Sequence, residues 1–93
     1  MQDTIAYVKM LHDRYHKPVW LTEFSCGGAQ QAAQLEFMQH ILPIFDAMPD
    51  VIPRYAWFAA RTSQQTAAQR HATLISNESN TLTTIGHWYN STV

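Results

Sequence analysis

Two helix-like stretches, each followed by a short apolar run, set out the organisation of the chain. In residues 4–15, Ile5, Val8, Leu11 and Tyr15 recur three or four apart behind Asp3 or Thr4 as an N-cap, which predicts an amphipathic helix. Pro18 should end it, because its ring excludes a helical hydrogen bond and biases Lys17 towards extended geometry. Residues 19–24, Val-Trp-Leu-Thr-Glu-Phe, then read as a buried strand, and Ser25-Cys26-Gly27-Gly28 as the turn after it. A second helix is predicted over residues 29–48, with Leu35, Met38, Ile41, Leu42, Phe45 and Met48 on its apolar side and Pro43 kinking or interrupting it.

Pro49-Asp50 should close that helix. Residues 52–59 read as a second strand rich in aromatics, with Pro53 near its start, where a missing donor is tolerated. The order helix, strand, helix, strand predicts parallel strands joined by a right-handed crossover, an α/β architecture. Beyond Ala60 the pattern turns polar. Residues 61–66 suggest a surface loop, residues 67–70 a helical turn, 74–76 an extended segment and 77–80 a turn. Thr83 or Thr84 should cap a short helix reaching Tyr89.

The strand over residues 19–24 carries a single carboxylate, Glu23, near its C-terminal end. In α/β proteins ligands and chemistry gather at the C-terminal ends of parallel strands, and a carboxylate in an apolar run is costly without a purpose or partners. Glu23 is therefore the first candidate for a catalytic or binding group, against the plainer reading of a carboxylate hydrogen-bonded at a strand end. Strict alternation places Val19, Leu21 and Glu23 on one face and Trp20, Thr22 and Phe24 on the other.

Three segments together resemble the last third of one glycoside hydrolase group: residues 19–24, Arg54-Tyr55-Ala56-Trp57-Phe58, and Leu82-Thr83-Thr84-Ile85-Gly86-His87-Trp88-Tyr89. The group is glycoside hydrolase family 128, the alkali-sensitive-linkage type of glycosyl hydrolase catalytic core. The resemblance implies the C-terminal fragment of a (β/α)₈ TIM barrel, with residues 1–93 a partial catalytic domain of two parallel strands and flanking helices. It further implies a retaining, endo-β-1,3-glucanase-like activity on a β-1,3-glucan polysaccharide, with no cofactor, and an extracellular or cell-wall setting.

By the same resemblance, Glu23 matches the nucleophile at the end of strand seven and Trp57 the aromatic on strand eight. In a barrel Val19, Leu21 and Glu23 would point inward. If Tyr55 and Trp57 share that interior, Trp57 would stack a sugar ring beside Glu23. The alternative packs Trp57 outward under a helix. Arg61 and Ser63 follow the second strand on the rim of Glu23 and are candidate substrate contacts, with a solvated loop as the plainer reading.

Retaining hydrolysis requires two carboxyl groups about 5 Å apart. The other acids are Asp3, Asp13, Glu36, Asp46, Asp50 and Glu78. Asp13, Glu36 and Asp46 fall on predicted helices, and Asp50 precedes a strand, at the opposite end of a parallel sheet from Glu23. Glu78 alone follows a strand end, in turn-like context. A full barrel needs roughly 250 residues, so the strand bearing the acid/base glutamate is expected to be missing and the chain inactive alone. A second function stays open: a non-catalytic remnant that binds glycan or another chain through exposed strand faces.

Composition narrows the rest. At 46% hydrophobic residues over 93 positions, the chain is globular and at most one domain, with a small core. A net charge of −1 gives no footprint for nucleic acid. No apolar run approaches the ~20 residues of a membrane span, and no targeting segment is visible. One cysteine, Cys26, cannot form an internal disulfide. It is also a thiol three residues beyond Glu23, without an identifiable base.

Asn77 and Asn90 open N-x-S/T sequons, weak pointers to export. His12 and His16 lie one helical turn apart, yet the zinc-protease Glu is replaced by Asp13 and no third ligand is evident, so no metal site is expected. Gly27-Gly28 lacks the spacing and lysine of a phosphate loop.

Overall fold

The computed structural model describes residues 2–27, 29–61, 71–76 and 78–92. The loop expected over residues 62–66, which includes Ser63, the helical turn expected over residues 67–70, the sequon residue Asn77 and the second glycine of the Gly27-Gly28 pair fall outside them. Five elements follow in order: α1 (Gln2–Tyr15), β1 (Trp20–Phe24), α2 (Gln31–Asp46), β2 (Arg54–Trp57) and α3 (Thr84–Ser91). β1 and β2 pair in parallel across α2, the expected βαβ unit.

α1 buries Val8 completely and packs Ile5 against the core, while Tyr15, expected on the same face, is exposed. Its stop is local. The His16 N–H donates to the His12 carbonyl at 2.8 Å with His16 at φ 54°, a left-handed residue closing the last turn before Pro18 is reached. The Val19 N–H then donates to the Val51 carbonyl at 2.7 Å and starts the parallel ladder.

α2 is the main packing element. Met38, Ile41, Leu42 and Phe45 are fully buried along its expected stripe, and Leu35, Phe37 and Met48 pack beside them. Of the kink or interruption expected at Pro43, the interruption does not occur. The proline sits in the last turn, where the missing N–H removes one bond, and its own carbonyl accepts from Ala47 at 3.1 Å. Bonds from Val51 and Ile52 to the Met48 carbonyl then reverse the chain into β2.

The expected strand over residues 52–59 contracts to four residues. The Phe58 N–H still reaches the Phe24 carbonyl at 2.9 Å, and the Phe58–Ala59 peptide is cis. Leu74 and Ile75 donate to the carbonyls of Ala59 and Ala60, and Ile75 bridges Leu82 in antiparallel fashion around the expected turn.

Thr83 organises the last helix. Its side-chain oxygen accepts from the Gly86 N–H at 3.0 Å and its hydroxyl donates to the Thr73 carbonyl at 2.7 Å, which ties the N-terminus of α3 to the preceding segment. Gly86 lets the two backbones meet: a Cβ there would lie 2.0 Å from the Leu74 carbonyl oxygen. α3 packs against α2, and Ile85 completes the buried core.

Candidate active site

The two faces of the sheet differ in what covers them. On β2, Tyr55 and Trp57 turn towards α2 while Arg54 and Ala56 are exposed on the other face. On β1, Leu21 packs on the core and Trp20 and Thr22 face away from it. Val19 and Leu21 thus lie on the α2 side, not on the open side expected for them.

A bulge then changes the phase. Leu21 pairs with Tyr55 and Phe24 with Trp57, so three steps on β1 oppose two on β2. The additional residue leaves Thr22 and Glu23 both exposed and returns Phe24 to the side of Leu21. Strict alternation therefore fails at one point: Phe24 is not on the face of Trp20. Its ring instead meets Phe37, Phe45, Tyr55 and Trp57 edge-on, at centroid distances of 5.3–6.5 Å. Glu23 escapes that packing and ends at the C-terminal end of β1, open to solvent.

The chain leaving Glu23 is held by a residue that hydropathy reading passed over. Gln34 is fully buried on α2, in line with Met38, Ile41 and Phe45. Its carbonyl oxygen accepts from the Cys26 N–H at 2.9 Å, and its amide donates to the carbonyls of Gly27 at 3.1 Å and Ala29 at 3.2 Å. One glutamine thus satisfies three backbone groups of the loop. A polar residue at an apolar-stripe position was the available signal.

The remaining candidates separate. Trp57 is only 5% exposed, and its indole N–H donates to the Ala72 carbonyl at 2.7 Å. It packs under α2, the alternative weighed from sequence, and does not share the open face needed to stack a sugar beside Glu23. The Tyr55 hydroxyl donates to Asp46 Oδ1 at 2.7 Å on the same covered side. Burial, reinforced by Asp46, pushes the Tyr55 phenol well above its ordinary pKa.

Arg61 Nη2 donates to the Ser79 carbonyl and Asn80 Oδ1, both at 3.1 Å. It therefore fastens the 78–81 turn to the segment leaving the C-terminal end of β2. Glu78 lies in that turn, exposed, with its N–H donating to Ser76 Oγ. Asp46 is engaged by Tyr55 on the covered side. Asp50 stands in the turn that feeds the N-terminal end of β2, the end opposite Glu23.

His12 Nδ1 donates to the Lys17 carbonyl at 2.9 Å, and among the described residues no group of three or more His, Cys, Asp or Glu is placed to hold a metal ion. Among the described residues no helix is long and apolar enough to cross a membrane. Chemically, the arrangement offers one accessible carboxylate at a strand's C-terminal end, ahead of a loop pinned from below.

Comparison with known proteins finds a family and a solved structure similar to this chain. The glycosyl hydrolase catalytic core family matches residues 1–89. The crystal structure of a glycoside hydrolase family 128 (subgroup II) endo-β-1,3-glucanase from Sorangium cellulosum is similar at 36% identity and a TM-score of 0.81, over 97% of this chain and 33% of that one. The chain thus spans about a third of that enzyme's length. Among curated proteins no match is found.

Proposed function

We propose that this chain, which belongs to the glycosyl hydrolase catalytic core family, is the C-terminal third of a (β/α)₈ barrel that hydrolyses β-1,3-glucan with retention. In this reading Glu23 is the nucleophile, attacking the anomeric carbon to form a covalent glycosyl-enzyme. The observation that carries it is the exposed Glu23 at the C-terminal end of β1, displaced from the core by the bulge and backed by the Gln34-pinned loop. A barrel places its chemistry at that end of its strands.

The proton donor belongs to the part of the barrel outside this chain. Retaining hydrolysis requires the leaving oxygen to be protonated by a second carboxyl group about 5 Å from the first. Asp46 and Asp50 are placed away from Glu23, and Glu78 sits in a solvated turn. Expressed alone, the chain releases no reducing ends from laminarin. Hydrolysis by the isolated chain, abolished by Glu23→Gln, would overturn that expectation.

A chimera tests the role directly: this chain replaces the matched third of the Sorangium cellulosum enzyme. It is expected to hydrolyse laminarin, to lose activity on Glu23→Gln, and to carry a fluoroglycoside-trapped sugar on the Glu23 peptide by mass spectrometry. Trapping on another residue sinks the assignment. Arg61 acts here by holding the 78–81 turn at the rim and not by touching sugar. A second reading, glycan binding without catalysis, draws on Trp20, whose indole is 63% exposed on the sheet.

A further inference from the structure

Gln34 is fully buried where the apolar stripe of α2 calls for an aliphatic side chain, and its bonding is confined to one place. Its three hydrogen bonds, at 2.9, 3.1 and 3.2 Å, all run to the backbone of Cys26, Gly27 and Ala29, the loop that leaves Glu23. A leucine would fill similar space without burying an amide, so packing of the core does not call for a glutamine here. Nor is the loop tied to α2 at the helix start, because Gln30 caps it without a side-chain bond. Gln34, in the first turn, makes that tie. Every one of these partners belongs to the βαβ unit itself.

The backbone around Glu23 is fixed on both sides. Leu21 pairs with Tyr55 before it and Phe24 with Trp57 after it, and the Phe24 carbonyl accepts from the Phe58 N–H at 2.9 Å. Ser25 alone separates Phe24 from Cys26. The Cys26 carbonyl then accepts from the Ala29 N–H at 3.2 Å, and Gly27 turns the chain in the left-handed region at φ 53°. The side chains of Thr22 and Glu23 take no part in core packing, since both residues are exposed at the bulge. The direction of the carboxylate is therefore set by the main chain that flanks it.

We propose that Gln34 is a positioning residue for Glu23, a role that rests on the nucleophile reading of that carboxylate. By holding Cys26, Gly27 and Ala29 it fixes the path of the chain just beyond Glu23, and with it the direction from which the carboxylate meets the anomeric carbon. A buried polar network with every member satisfied holds one conformation. The rate is sensitive to that hold, because a misplacement of about 1 Å at a reacting group costs up to roughly 100-fold.

The test uses the chimera with the Sorangium cellulosum enzyme and a glycosyl fluoride bearing a further fluorine on the neighbouring carbon. In the trapping step a Glu23 oxygen bonds to the anomeric carbon as the C–F bond breaks and fluoride leaves with its electron pair. No proton donor is needed, so the trapping rate reads the nucleophile by itself. Gln34→Leu is expected to slow trapping and laminarin kcat each by about 30-fold, with KM within about 3-fold of the parent. Ile85→Ala, in the core away from the loop, should lose at least as much stability in urea yet keep kcat within ~2-fold. If Gln34→Leu does not fold, Gln34→Met makes the same comparison with an unbranched side chain. A readout independent of hydrolysis comes from this chain: backbone order parameters at Glu23 and Ser25 should fall from about 0.85 towards ~0.6 in the Gln34 variant. Unchanged trapping and kcat, an equal fall in Ile85→Ala, or an unchanged order parameter at Glu23 overturns the proposal. Should the parent chimera trap no sugar on Glu23 while the order parameters fall as expected, Gln34 is kept as the residue that orders Glu23, and the glucanase reading alone is refuted.

Discussion

The two faces of the β1–β2 sheet are made from alternate residues of the same nine positions, yet they follow different rules. Towards α2, Leu21, Phe24, Tyr55 and Trp57 interlock with Phe37 and Phe45, and the polar atoms of Tyr55 and Trp57 have partners within the chain. Away from α2, among the described residues, Trp20 and Arg54 cover each other and Glu23 is exposed. The covered face is self-sufficient, because every aromatic on it meets another aromatic or a hydrogen-bond acceptor. The open face is a set of side chains that lack such partners among the described residues. Stability and the proposed chemistry thereby fall on opposite sides of one sheet.

Trp57→Ala should separate the faces most sharply. It removes the buried indole and its bond to Ala72, an expected loss of about 3–5 kcal/mol by urea denaturation, a large share of what a domain of this size has. A loss below ~1 kcal/mol would show that the covered face is not the stabilising one. Gln34→Leu keeps most of the volume but strands the Cys26 N–H and two carbonyls. An expected cost of about 1–3 kcal/mol should come with faster amide exchange at Cys26, while amides in the middle of α2 change less.

Tyr55→Phe is smaller still, about 0.5–1.5 kcal/mol near neutral pH, and its pH dependence is diagnostic. The folded phenol has a pKa above the unfolded value of 10.0, so above pH 10 the native state binds more protons than the unfolded one. Its contribution is full below pH 10 and declines as pH rises towards the folded value. The stability gap between wild type and Tyr55→Phe should therefore narrow in alkaline urea titrations. A gap that widens there would refute the placement of the hydroxyl. Least of all, Trp20→Ser should change the stability of the isolated chain by no more than ~0.5 kcal/mol, despite deleting a tryptophan.

Much of the architecture was legible from pattern. Helical spacing in residues 4–15 and 29–48, a short apolar run after each and a Thr cap at residue 83 or 84 each correspond to an observed element. These signals are local, and local hydrogen bonding decides them. The strand faces were not legible, because a bulge between Leu21 and Phe24 has no glycine or other residue to mark it. Pro43 does not interrupt its helix, since a proline's cost depends on its distance from the helix end. Tyr55 and Trp57 alternate in phase as expected, but which side of a sheet becomes its covered side is settled by what packs there. Here Phe37 and Phe45 on α2 settle it. Gln34 carried a usable mark, a polar side chain in an apolar stripe, whose partners only the folded loop supplies.

The bulge also has a consequence for how this strand can vary. It divides β1 into two registers, so that Val19 to Thr22 and Phe24 onward are read against the sheet in opposite phase. Insertion of one residue before Leu21 would rotate the first register and leave the second anchored through Phe24. Removal of Thr22 would erase the bulge and restore simple alternation, with Phe24 still inward and the carboxylate still outward but one step closer to the strand's beginning. A single-residue deletion thus isolates the bulge on this scaffold: it removes the additional residue opposite Ala56 while Phe24 stays paired with Trp57, so Glu23 keeps both its neighbour and its face.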